Sequence, residues 1–131
     1  MNSAFEHAWA LLERAKDDLY VLRHLQPDAE APGWVLGFHA QQAVEKALKA
    51  VLSGAGQAYP RTHNLVMLVE LLRTVGIEAP PDADAFANLT PYGVVLRYED
   101  VFVDEPPTAD LAGFVPLVTR TLDWAQARLQ P

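Results

Sequence analysis

His39, Gln42, Lys46 and Lys49 follow one another at spacings of three, four and three, which stacks them in one stripe if the segment is helical. Arg61 and His63 come directly after, in the next loop, and extend the set. Two ammonium groups, a guanidinium able to grip phosphate in bidentate fashion and an amide able to read a polar edge suit a phosphorylated ligand. The imidazoles of His39 and His63 add groups that can carry protons in acid–base chemistry. A second cluster holds Tyr92, Arg97 and Tyr98, followed by Glu99 and Asp100. There Arg97 could meet a phosphate while the tyrosines stack on a base.

Each feature also has a plainer reading. A polar stripe is what the solvated face of an amphipathic helix looks like. Glu45 and Lys49 can form an i,i+4 pair, contributing about 0.3 kcal/mol. His39 beside Phe38 fits a half-buried structural histidine, His63 beside Thr62 fits a helix start, and Arg97 can close a salt-bridge knot with Glu99 and Asp100.

Charge is unevenly distributed. The 131 residues carry 10 Lys plus Arg against 17 Asp plus Glu, a net charge of −7. Residues 34–63 are the exception: Lys46, Lys49 and Arg61 face Glu45 alone. This favours a small local phosphate site on an acidic body and argues against a broad groove for duplex DNA. With no cysteine, disulfides, thiol catalysis and thiolate metal sites are excluded. The start has no basic leader followed by an apolar run, and charges interrupt every apolar stretch. The expectation is a cytoplasmic protein without a membrane span.

Enzyme templates fit poorly. There is no HxxxH pair, phosphate-cradling Gly-rich loop or Gly-x-Ser-x-Gly elbow. Asp82-Ala-Asp84 has the carboxylate spacing of metal-dependent nucleotidyl transfer but no preceding Gly-Ser turn, and it fits a helix start better. Glu99, Asp100, Asp104 and Glu105 read as an acidic loop rather than a Mg²⁺ site. No metal ligand set and no cofactor is expected.

The elements that must position these residues are helices, because apolar residues recur at three and four spacings and two-residue alternation is missing. A first helix over 3–25 turns Phe5, Ala8, Trp9, Leu12, Ala15, Leu19 and Leu22 inward and Glu6, Glu13, Arg14, Asp17 and His24 outward. Pro27 and Pro32-Gly33 end it. A second helix over 34–52 stops near Gly54 and Gly56 and buries Leu36, Ala40, Ala43, Val44, Ala47, Leu48 and Val51. Thr62 is the expected cap of a third helix over 63–75, with Gly76 past its end. Pro91 divides 82–98 into two short helices, with Thr90 as the cap of the second, or else kinks a single one. An exposed loop over 99–107 precedes a last helix from Thr108, with Pro116 in its first turns or marking a later start. Together these predict an all-α, up-and-down helical bundle of about five helices in a single domain, 1–131.

FHAQQAVEKALKAVL (Phe38 to Leu52), PRTHNL (Pro60 to Leu65) and LTPYGVVLRYED (Leu89 to Asp100) occur in that order. They resemble the HEPN domain, a small nucleotide-binding helical family. The resemblance implies a homodimer that often works beside a minimal nucleotidyltransferase, as a toxin–antitoxin or substrate-binding pair. It makes His39, Gln42, Lys46, Lys49, Arg61, His63, Arg97 and Tyr98 the nucleotide or RNA contact surface. Many members of the wider family cleave RNA with an Arg followed, after four to six residues, by a His. None of the seven arginines here has that partner, His63 being only two residues after Arg61. Glu99 also stands where Pro is common after Arg-Tyr.

Three functions follow as expectations. The first is a noncatalytic nucleotide- or RNA-binding module acting with a partner nucleotidyltransferase. The second is a ribonuclease with an atypical centre, in which His39 or His63 is acid or base and Arg97 stabilises phosphorane-like charge. The third is a purely structural interaction protein.

Overall fold

The computed structural model describes residues 3–95 and 111–130. Its elements are α1 (Ser3–Leu25), α2 (Gly33–Gly54), α3 (Leu65–Thr74), a 3-10 turn (Ala83–Asn88), α4 (Thr90–Val95), a second 3-10 turn (Leu111–Gly113) and α5 (Phe114–Leu129). No strand occurs among the described residues, and the fold is an all-α helical bundle. None of the described helices is long and apolar enough to cross a membrane.

The centre of the bundle is α2. None of residues 33–53 is more than partly exposed, because α1, α3, α4 and α5 all pack on this helix, α1 most extensively. Its inward residues are small enough to allow that approach: Ala40, Ala43, Ala47 and Ala50 are fully buried beside Leu48. Burying one leucine side chain stabilises the fold by about 1.5–3 kcal/mol.

Helices α1 and α2 run antiparallel. Ser53 Oγ donates to Ala4 O at 3.0 Å near one end, and His39 meets Asp18 further along. Ala8, Leu12, Ala15, Leu19 and Leu22 of α1 are buried as expected. Phe5 is not: it is 39% exposed, with its ring edge-on to Trp9 at 6.1 Å. On the helix wheel it stands about 60° from the centre of the arc that Ala8, Leu12, Ala15, Leu19 and Leu22 bury, at the solvent edge of α1.

Asn64, not Thr62, caps α3. Its side chain accepts from Met67 N at 3.2 Å, while Thr62 Oγ1 accepts from Asn64 N at 3.0 Å one step earlier. The helix ends before Gly76, whose φ of 81° is comfortable only without a side chain. Pro91 sits in the first turn of α4, where its missing N–H breaks no helical bond.

Two glycines let α4 lie against α2. A Cβ on Gly37 would enter the Tyr92 ring, and one on Gly93 would stand 2.8 Å from Gln41 Cδ. Tyr92, which the sequence leaves open as a stacking platform for a base, is 2% exposed, its ring edge-on to Phe114 at 6.0 Å.

Helix α5 begins at Phe114, with Pro116 in its first turn, rather than at Thr108. It buries Phe114, Leu117, Val118, Leu122, Ala125 and Leu129 together with Thr121 and Trp124. Thr121 Oγ1 returns its hydrogen bond to Leu117 O at 2.9 Å, and Trp124 Nε1 donates to Glu78 O at 3.2 Å. Asp82 accepts two hydrogen bonds from Arg120, at 2.8 and 3.0 Å, which tie α5 to the turn before α4. The acidic loop expected over 99–107 lies outside the described residues.

Candidate functional site

The polar stripe of α2 is not a bare basic face. Asp18, a carboxylate 8% exposed on the inward side of α1, reaches it with both oxygens. Oδ1 takes His39 Nδ1 at 3.0 Å and Oδ2 takes Lys46 Nζ at 2.6 Å. A carboxylate this deep is tolerated because two partners replace the water it gave up.

Glu45, 5% exposed, organises the other half. Its Oε2 accepts from Lys49 Nζ at 3.0 Å, while its Oε1 accepts from Gln41 Nε2 at 2.9 Å and faces His63 Nδ1 at 2.7 Å. Gln41 is fully buried, and its Oε1 accepts from Gln42 Nε2 at 2.8 Å. Lys49 Nζ also stands 5.5 Å from the centre of the Tyr59 ring, and the Tyr59 hydroxyl shares a 2.9 Å hydrogen bond with His7 Nε2. Burial first, and the Glu45 charge second, push the Tyr59 phenol above its ordinary value of 10.0.

Five of the eight sequence-predicted residues therefore join this framework: His39, Gln42, Lys46, Lys49 and His63, all half-buried. Arg61 is exposed and, among the described residues, has neither an ion pair nor a hydrogen bond. Arg97 and Tyr98 lie outside the described residues. The Glu45–Lys49 pair forms as read, but it is buried within a network instead of standing in water.

Asp18, Gln41 and Glu45 were missed as members of the site, although the sequence carried a signal for each. Asp18 stands three residues after Ala15 and four before Leu22, on the apolar arc, where a charge needs a partner. Gln41 and Glu45 are four apart and border the apolar arc of α2 in the same way.

The geometry can do two things. Both histidines have Nδ1 engaged by a buried carboxylate, which fixes the ring and leaves Nε2 as the nitrogen for any further exchange. Arg61, two residues before His63, supplies a planar fork for an oxyanion. Among the described residues no group of three or more His, Asp or Glu is placed to hold a metal ion.

A family model described as the HEPN domain matches residues 8–119. The chain belongs to the HEPN domain family. No curated protein and no solved structure matches this HEPN chain significantly. HEPN domains are generally associated with RNA-binding or ribonuclease roles. The matched span contains the whole α2 framework as well as Arg61 and His63.

Proposed function

We propose that this HEPN chain is a cytoplasmic nucleotide- or RNA-binding module, acting as a homodimer beside a minimal nucleotidyltransferase in a substrate-binding or toxin–antitoxin role. The observation that carries the binding reading is Arg61, an exposed guanidinium with no carboxylate at ion-pair distance, next to the buried framework through His63. The rigid part of the site is His39, Gln42, Lys46, Lys49 and His63, and Arg61 is its free cation. Phosphate meets Arg61, while the half-buried amide and imidazoles contact base or sugar edges. The dimer and the nucleotidyltransferase partner are supported by family membership alone. Titrating nucleotides and short single-stranded RNA into wild-type protein and Arg61→Ala tests the binding, and solution mass with and without the neighbouring gene product tests the assembly. Wild-type protein that takes up none of these ligands would overturn the reading.

A second reading is favoured by the two imidazole–carboxylate pairs, His39 with Asp18 and His63 with Glu45. A ring oriented through Nδ1 is set up to move a proton at Nε2, as RNA cleavage by general acid–base catalysis requires. RNA cleavage that is lost in both His39→Ala and His63→Ala would support this activity. Cleavage that survives both changes would remove it.

A further inference from the structure

We propose that the groove between α1 and α5 is a second binding site, on the opposite side of α1 from Asp18, which takes a phosphate monoester carrying a planar ring. The groove encloses about 360 Å³, within the roughly 300–1,000 Å³ typical of small-molecule sites. Lys16, Tyr20, Arg23 and His24 line its α1 wall, and Thr119 and Asp123 its α5 wall. Lys16 and Tyr20 are each two residues from Asp18, about 200° around the helix, so this wall and the α2 framework face different ways.

Three observations define the ligand. Arg23 and Arg61 are the described lysines and arginines without a carboxylate at ion-pair distance. Arg23 makes one long hydrogen bond, 3.4 Å to Thr119 Oγ1, and keeps its other donors for an oxyanion. Next to it Tyr20 is 64% exposed, and its ring lies 4.2 Å from that of His24, whose Nδ1 donates to Tyr20 O. This is a ready-made aromatic shelf beside a free guanidinium. Asp123, one turn beyond Thr119 on the other wall, is the acceptor for a hydroxyl or amine of the ligand and turns its phosphate toward Arg23.

The test is an amide-resolved NMR titration of the full chain with adenosine 5′-monophosphate, adenosine and inorganic phosphate. The monophosphate should shift amides along residues 16–24 and 119–126 and bind more tightly than either fragment. Arg23→Ala should weaken binding about tenfold or more, and Tyr20→Ala should erase the advantage over inorganic phosphate. Both side chains are exposed, and the same spectra report that the fold is intact. Shifts confined to residues 39–63 would overturn the groove site and leave the proposed function standing. Shifts confined to the groove would support the groove site and leave the proposed function to its own nucleotide and RNA titration. Unchanged groove affinity in Arg23→Ala, or inorganic phosphate binding as tightly as the monophosphate, would also overturn it.

Discussion

Glu45 Oε1 and His63 Nδ1 lie 2.7 Å apart, joining the middle of α2 to the loop that leads into α3. The same carboxylate holds Gln41 and Lys49, so three neighbours depend on one side chain for their position.

Glu45→Ala is expected to cost about 3–5 kcal/mol of stability, because it leaves the half-buried Lys49 ammonium without its carboxylate and takes from the buried Gln41 amide one of its two acceptors, the other being His63 O. Urea denaturation should show a lower midpoint with an unchanged slope. Glu45→Gln keeps the shape without the charge and should fall between the variant and wild type.

Asp18 and Lys46 should prove energetically coupled. In a double-mutant cycle of Asp18→Ala and Lys46→Ala, the interaction energy should exceed about 1 kcal/mol. The exposed pair Lys16–Glu13 on the same helix serves as the comparison, and its coupling should stay below about 0.5 kcal/mol.

At Gly37, alanine would push a methyl group into the buried Tyr92 ring, at a cost of about 1–3 kcal/mol. A thermal melt reads this directly. Gly93→Ala meets the side-chain amide of Gln41 instead, and its signature should be a displaced Gln41 amide resonance with a smaller loss of stability.

Tyr59 makes stability fall at high pH. Its phenol titrates above the ordinary 10.0 in the folded chain, so the unfolded chain loses this proton first. The contribution is fully present below the unfolded value and is lost as pH rises from there through the folded value. Phenolate absorbance, taken as the difference between wild type and Tyr59→Phe, measures the shift. Glu45→Gln should reduce it by removing the second of its two causes.

The helices were legible because three- and four-residue apolar spacing leaves little alternative, and the bounds of α1 agree with that reading. The cap of α3 was not: Thr62 and Asn64 are both good caps, and only the chain path decides which side chain reaches Met67 N. The site was half legible. Spacing picked out the stripe on α2, but one helix wheel cannot see a carboxylate that arrives from another helix, and Asp18 arrives from α1. Tyr92 misled for a related reason. An aromatic beside a glycine can serve a ligand or a helix crossing, and Gly37 lies 55 residues away in sequence.

Lys46 and Lys49 meet any polyanion with their charges already matched by Asp18 and Glu45. Phosphates landing on this face would meet little unmatched positive charge, so few of the small cations condensed along the nucleic acid would be released. The affinity of RNA for this face should therefore depend only weakly on ionic strength, with a logarithmic slope of about one rather than the roughly ten of a protein with many phosphate contacts. A phosphate that drew either lysine away would have to leave a buried carboxylate behind. The framework would thus resist capture by bulk polyanions, and discrimination would fall to Arg61 and to the edges that the imidazoles and the Gln42 amide can reach.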